Sequence, residues 1–240
     1  METNELKLKK HFAVAIDGPA GAGKTSMAKL LAQELGFVYV DTGALYRAFA
    51  VHKLWLQKEM MEKEPENLPV TNEMALRTFD LDFERDENGE QIMKVWGENI
   101  NPYLRTEEVS MEASTSSADP QVRAALLELQ RRQAISYDVV MEGRDIGTVV
   151  LPEAQVKIFL TATPVVRAKR RYYDLMHHGE RPVFENVLSE LLKRDEQDTT
   201  RAACPLKQAE DAVLVDSTEL DPTETLERLL EIVQNKRGAS

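Results

Sequence analysis

The sequence predicts an α/β protein with a five-stranded parallel sheet, and three observations support this fold class. Short apolar runs of strand length alternate with longer stretches in which apolar residues recur at helical spacing. Each apolar run ends in polar or small residues, which is typical of the carboxyl edge of a parallel sheet. A glycine-rich loop joins the first apolar run to the first helical stretch.

The glycine-rich loop follows the pattern G-x-x-x-x-G-K-[ST]. Glycine permits positive φ angles, so several successive N–H groups can turn toward one anion. The lysine adds a positive charge, the hydroxyl of the last position is a ligand for Mg²⁺, and the next helix points the positive end of its dipole at the same phosphates. The pattern predicts a P-loop NTPase three-layer sandwich. Its phosphate-binding loop consists of Gly18, Pro19, Ala20, Gly21, Ala22, Gly23, Lys24, Thr25 and Ser26, with Thr25 as the Mg²⁺ ligand.

The first elements can be assigned from local signals. The first helix is predicted over residues 26–35 and ends at Gly36, because glycine is favoured directly after a helix. A second helix starts with Thr42 as its N-cap and runs to about residue 56. The five predicted strands cover residues 12–16, 37–40, 139–141, 156–160 and 213–215.

The polar residues that follow the second strand are candidates for the binding site. Ligands of parallel sheets bind beyond the carboxyl ends of the strands. We therefore expect Asp41, Thr42 and Arg47 to face the same crevice as Lys24.

The middle of the chain departs from the strand–helix alternation. Residues 57–76 are rich in charge, proline and asparagine, as is typical of an exposed connection. Alternating apolar residues around 79–83, a turn signal at Asn88 and Gly89, and a second apolar run at 92–96 predict a hairpin. We therefore interpret residues 60–112 as a small antiparallel β insertion, and residues 1–59 with 113–240 as the core.

Two later helices carry clear start signals. Asp119 and Pro120 open a helix that reaches about residue 135. Asp221 and Glu224 form the Asp-x-x-Glu pattern of a capping box, which opens the last helix.

Basic residues cluster after the fourth strand, in a chain whose net charge is −11. Such a run is typical of a solvated helix face. Near a phosphate-binding loop it also fits a helical lid, about residues 163–184, whose arginines would offset phosphate charge and exclude water. His177 and His178 have no third ligand at regular spacing, so we interpret them as loop surface. The cluster within the predicted lid consists of Arg167, Lys169, Arg170 and Arg171, and Arg194 and Arg201 follow the lid in the sequence.

Composition limits the classes of partner. The acidic balance, with a pI of about 5.0, disfavours a general nucleic-acid binder, which needs a basic face. The single cysteine, Cys204, cannot form a disulfide within the chain. No apolar run approaches the length that a bilayer requires. We expect a cytoplasmic monomer that acts on small molecules, without nucleic acid or membrane partners.

Taken together, the motifs closely resemble those of bacterial cytidylate kinases. The resemblance covers essentially residues 11–235 and is specific, because a general P-loop protein would share only the first motif. One position departs from the pattern: Glu142 stands where the family has aspartate. The matching segments are residues 16–24, 41–47, 143–150, 156–160, 194–195 and 201–206.

The resemblance implies transfer of the γ-phosphoryl group of ATP to CMP or dCMP with Mg²⁺, in a protein with a core, a nucleoside monophosphate (NMP)-binding domain that carries the insertion, and a lid. It implies that residues 18–26 bind ATP together with Arg167, Arg170 and Arg171. It further implies that Lys24, Arg144 and Arg201 are catalytic. The implied CMP contacts are Thr42, Arg47, Ser114, Arg123, Arg144, Asp145, Arg194, Asp198 and Arg201.

Two alternatives stay open at the level of sequence. A P-loop kinase of another small molecule or nucleotide would keep the loop and lid but need a different base pocket. A nucleotide-gated switch would bind without catalysis, although the Asn-Lys-x-Asp motif of guanine-reading switches does not occur here.

Overall fold

The computed structural model describes residues 11–63, 69–85, 91–177 and 179–238. The chain divides into two compact units, Met1–Val40 with Gln130–Ser240, and Asp41–Leu129. The strands are β1 (Ala13–Asp17), β2 (Val38–Asp41), β3 (Leu81–Arg85), β4 (Gln91–Val95), β5 (Glu98–Asn99), β6 (Val139–Gly143), β7 (Val156–Thr161) and β8 (Val213–Asp216). The α-helices are α1 (Lys24–Leu35), α2 (Thr42–Lys63), α3 (Asn72–Thr78), α4 (Glu107–Ser116), α5 (Pro120–Ser136), α6 (Pro164–His177), α7 (Phe184–Thr200) and α8 (Pro222–Gly238).

A five-stranded sheet in the order β2-β6-β1-β7-β8 confirms the predicted α/β fold. β1 pairs in parallel with β6 and with β7, and β7 pairs in parallel with β8. All five residues of β1 are buried. Because successive side chains of a strand point to opposite faces, both faces of the sheet are covered there, as in a three-layer sandwich.

The core of the first unit lies between the sheet and α1 and α8. Met27 and Leu31 of α1 are buried against Ile16 and Val140, and Leu229 and Val233 extend the same cluster from α8. α1 ends at Gly36 in the left-handed conformation, with φ of 68°, as predicted.

The capping box of α8 is present as predicted. The amide of Glu224 donates to Asp221 Oδ1, and the amide of Asp221 donates to Glu224 Oε2, both over 2.9 Å. Two amide donors that have no partner within the helix are thereby satisfied.

The second unit combines helices with a three-stranded antiparallel sheet, in the order β3-β4-β5. The predicted hairpin is confirmed in β3 and β4, while its proposed turn, Asn88 and Gly89, lies outside the described residues. A second turn joins β4 to β5 through Trp96 and Gly97, both of which have positive φ.

Helix content between residues 57 and 78 exceeds the prediction. α2 continues to Lys63 instead of ending near residue 56, and α3 occupies part of the predicted connection. Thr71 caps α3, since its side chain accepts from the amide of Met74. Leu45 and Ala48 of α2 pack with Val109 of α4. The compact unit, Asp41–Leu129, extends beyond the predicted insertion, residues 60–112, at both ends.

Within the described part of the chain, no helix is both long enough and apolar enough to cross a bilayer.

Candidate active site

Three glycines shape the loop between β1 and α1. Gly18, Gly21 and Gly23 have φ angles of 150°, 72° and 88°, which is the conformational freedom predicted for these positions. Gly18 also lacks space for a side chain, because a Cβ atom there would lie 1.9 Å from the carbonyl oxygen of Leu160 on β7. The loop is therefore held close to the carboxyl end of the neighbouring strand.

Lys24 is buried at the start of α1, and its Nζ donates to the carbonyl oxygen of Pro19 over 2.7 Å. Burial, together with the positive charges of Arg144 and Arg194, lowers the pKa of Lys24 to about 7 against the opposing effect of nearby carboxylates. A phosphate group at this place would favour the charged ammonium.

Thr25, the predicted Mg²⁺ ligand, is half-buried in the first turn of α1, directly after Lys24. Among residues 11–63, 69–85, 91–177 and 179–238, no group of three or more His, Cys, Asp or Glu side chains could hold a metal ion by itself. Mg²⁺ in nucleotide enzymes is bound by one or two protein oxygens plus substrate phosphates. One hydroxyl beside a phosphate loop fits that donor set.

Two arginine–carboxylate pairs lie where β6 and α7 end. Nε of Arg144 donates to Oδ2 of Asp198 over 2.7 Å, and Nη2 of Arg201 lies 3.8 Å from Oδ1 of Asp145. The side chains of Arg144 and Arg201 are only 20% and 12% exposed. Charge interactions are stronger in such partly desolvated places than in open water.

Arg194 is exposed on α7, but it is close enough for its charge to lower the pKa of Lys24, as Arg144 also does. α7 and the end of β6 therefore bring predicted site residues to the phosphate loop. The predicted residues gathered in this part of the first unit are Lys24, Arg144, Asp145, Arg194, Asp198 and Arg201.

Arg167 is buried and forms hydrogen bonds with three separate segments of the chain. Its Nε donates to the carbonyl oxygen of Ala162 over 2.8 Å, and its Nη1 donates to that of Ala20 over 2.9 Å. Nη1 and Nη2 also form a two-pronged pair with Asp195, over 3.1 and 2.7 Å. All three nitrogen atoms thus have protein acceptors, and the predicted contact of Arg167 with ATP stays a prediction.

The other two lid arginines lie in different surroundings. Arg170 donates from Nη1 to the carbonyl oxygen of Ala22 over 3.4 Å and from Nη2 to that of Ser217 over 2.8 Å, and burial lowers its pKa. Arg170 is therefore beside the phosphate loop. Arg171 is exposed on α6.

In the second unit, Arg47 pairs with Asp41, with 2.8 Å between Nη2 and Oδ2. Oδ1 of Asp41 accepts from the amide of Ala44, so Asp41 caps α2 and the prediction of Thr42 as N-cap is wrong. Thr42 is instead the first residue of the helix and is buried. The preceding carboxylate reaches the amide three residues on, which a side chain already inside the helix does not do.

Arg123 is buried in the same unit, with its guanidinium 5.7 Å from the ring centre of Tyr46 and its Nη1 donating to the carbonyl oxygen of Ser117 over 3.3 Å. Ser114 is exposed on α4, and its carbonyl oxygen accepts from the hydroxyl of Ser117. The predicted CMP contacts of Thr42, Arg47, Ser114 and Arg123 stay predictions.

With this geometry described, comparison with known proteins shows the family. A family model described as cytidylate kinase matches residues 14–235. The chain belongs to the cytidylate kinase family. It is 45% identical to the cytidylate kinase of Thermosipho melanesiensis over 93% of this chain and 97% of the relative, and 44% identical to that of Carboxydothermus hydrogenoformans over the same shares.

A solved structure of an uncharacterized protein from Eubacterium ventriosum is similar in fold alone. It shares 11% identity and has a TM-score of 0.50, over 93% of this chain and 99% of that one.

Two buried carboxyl groups near the strand ends accept hydrogen bonds within the site, and the sequence did not predict these bonds. Glu142 accepts from the hydroxyl of Tyr39 over 2.7 Å, which links the position that departs from the family pattern to the neighbouring strand β2. Asp17 accepts from the amides of Ile146 and Gly147, both over 2.7 Å. The signal available in the sequence for both was an acidic residue directly after an apolar run of strand length.

We expect Gly18→Ala to abolish most ATP binding, because the new Cβ atom would collide with the backbone of β7 and displace the loop. Gly36→Ala is the matched control, since Gly36 also has positive φ at an end of α1 but a Cβ atom there would meet nothing within 4 Å. The control should lose about 1–2 kcal/mol of stability and keep ATP affinity. Calorimetric titration with ATP and thermal unfolding distinguish the two, and equal ATP affinities would contradict the prediction.

Burial raises the pKa of Asp17 to about 6, against the lowering effect of its two amide donors. The folded protein therefore holds a proton between about pH 4 and pH 6 that the unfolded chain releases, so this group destabilises the fold increasingly as the pH rises through that window. We expect the ¹³C resonance of the Asp17 carboxyl to titrate with a midpoint near 6. A midpoint near 4 would show that burial does not dominate the ionisation of this group.

Proposed function

We propose that this chain transfers the γ-phosphoryl group of ATP to CMP or dCMP and releases ADP with CDP or dCDP. The observation that carries most weight is that the positive charges of Arg144 and Arg194 act on the buried Lys24 and lower its pKa. Two phosphorylated nucleotides can meet only where positive charge offsets their repulsion. Membership of the cytidylate kinase family supports CMP as the acceptor.

ATP is held by the phosphate loop. The backbone N–H groups of residues 18–26, Pro19 excepted, and the N-terminus of α1 would bind the β- and γ-phosphates, and Lys24 would supply positive charge to them. Mg²⁺, bound by Thr25 and the phosphates, would polarise the transferred phosphoryl group. Arg170 lies beside Ala22 of the loop, which supports its assignment to ATP.

The acceptor is an oxygen of the CMP phosphate, which is already ionised at neutral pH, so no general base is required. Arg144 and Arg201 stabilise the charge that spreads over the transferred group. Asp145 accepts from the exocyclic amine of cytosine, a donor that uracil lacks. The remaining proposed CMP contacts are Thr42, Arg47, Ser114, Arg123, Arg194 and Asp198.

We also propose that the protein acts as a cytoplasmic monomer in pyrimidine nucleotide metabolism, without nucleic acid or membrane partners. The net charge of −11 supports small-molecule substrates over nucleic acid. The single cysteine is compatible with a reducing compartment.

The proposed reaction is tested by measuring ADP formation from ATP and Mg²⁺ with CMP, dCMP, UMP and AMP at equal concentrations. CMP or dCMP should give kcat/KM well above that of UMP, because uracil lacks the exocyclic amine that donates to Asp145, and above that of AMP, because the larger purine carries its amine at a different place relative to the sugar. A clear preference for UMP or AMP would favour a kinase of another nucleotide. ATP binding without turnover of any monophosphate would favour a nucleotide-gated switch.

We expect Asp145→Asn to impair the use of CMP selectively and Lys24→Ala to slow phosphoryl transfer. Asp145→Asn should raise KM for CMP about tenfold or more, since one good hydrogen bond to a buried base is lost, and leave KM for ATP nearly unchanged. Lys24→Ala should lower kcat by about 10²–10³, because charge on the donor phosphates is lost. Equal effects of Asp145→Asn on both KM values would contradict the assignment.

A further inference from the structure

We propose that Asp17 is a positioning residue for phosphoryl transfer, because its carboxylate fixes the Arg144–Asp145 segment against the first residue of the phosphate loop. This inference rests on the proposed function and deepens it. Asp17 is the last residue of β1, directly precedes Gly18, and is only 4% exposed. It touches neither nucleotide in the proposed assignment and acts through its neighbours.

The carboxylate holds the segment after β6 by two hydrogen bonds. Oδ1 accepts from the amide of Ile146 and Oδ2 from the amide of Gly147, both over 2.7 Å. These residues begin a π-helical turn, Ile146–Val150. The first amides of any helix have no acceptor within it, so this buried turn depends on an external acceptor.

Because of the strand register, Asp17 contacts the chain on both sides of the two proposed functional residues, Arg144 and Asp145. Asp17 is aligned with Gly143 in the parallel pairing of β1 and β6. The chain then passes through Arg144 and Asp145 and returns at Ile146 to the side chain of the same Asp17. The backbone of the proposed catalytic arginine and base-reading aspartate is thereby held on both sides by one residue.

Close packing leaves little freedom at this contact. A Cβ atom on Gly147 would lie 3.3 Å from Oδ2 of Asp17 and 3.1 Å from Cδ of Lys157. Glycine is therefore what allows the carboxylate and the turn to approach each other. A small shift here moves Arg144 relative to the phosphate loop.

The far end of the same turn offers a matched control. Arg131 donates from Nε to the carbonyl oxygen of Val150 over 3.0 Å and from Nη2 to that of Val149 over 2.9 Å. Arg131 thus stabilises the turn without contacting the phosphate-loop side of it. If the role of Asp17 is merely structural, substituting it should have the same effects as substituting Arg131.

The test compares Asp17→Asn with Arg131→Met by thermal unfolding, by calorimetric titration with ATP, and by kcat and KM for CMP. Asparagine keeps the size of Asp17 but offers one acceptor oxygen and turns an NH₂ group toward an amide donor. Both variants should lower Tm. Only Asp17→Asn should lower kcat/KM for CMP by about 10²-fold, the effect of misplacing a reacting group by about 1 Å, with ATP affinity changed less than about threefold.

Gly147→Ala tests the same contact without altering a charge, and it carries the test alone if Asp17→Asn is not recovered folded. We expect Gly147→Ala, too, to lower kcat/KM for CMP while leaving ATP affinity nearly unchanged. The inference is overturned if the Asp17 or Gly147 variant has a lower Tm but keeps the kcat/KM of the wild-type protein for CMP. It is also overturned if Arg131→Met lowers kcat/KM for CMP as much as Asp17→Asn does. Failure of the proposed function is seen separately, as an absence of CMP phosphorylation by the wild-type protein.

Discussion

Positive charge gathered around a buried lysine is the constraint on which the site depends. The pKa of Lys24 is lowered by burial and by Arg144 and Arg194, so the cations are held together against their own repulsion. Asp198 and Asp145 compensate by facing Arg144 and Arg201. An anionic ligand would offset this repulsion, so the arrangement of charge supports the proposed binding of phosphate.

The order of the strands makes this concentration of charge possible. β1 lies between β6 and β7, so the phosphate loop, the Arg144–Asp145 segment and the start of α6 all follow neighbouring strand ends. Gly18 fits against the end of β7, and Asp17 holds the turn after β6. The proposed site therefore lies at the edge where parallel sheets generally bind ligands.

Arg167 shows how the helical segment after β7 is tied to this edge. Its guanidinium joins Ala20 of the phosphate loop to Asp195 of α7, which also carries Arg194 and Asp198. Breaking a buried ion pair by removing one partner is strongly destabilising, since it leaves an uncompensated charge. The position of Arg194 on α7 and the shape of the loop are thus linked through the Arg167–Asp195 pair.

The sequence by itself determined the phosphate loop, the five strands, the end of α1 at Gly36 and the capping box of α8, because these depend on residues only a few positions apart. It underestimated α2, missed α3 and misplaced the cap at Thr42, where packing and a neighbouring carboxylate override local signals. Only the tertiary structure decided the partners of Asp17 and Arg167. Asp17 meets Ile146 across 129 residues, and which distant groups meet depends on strand order and packing, which no local pattern contains.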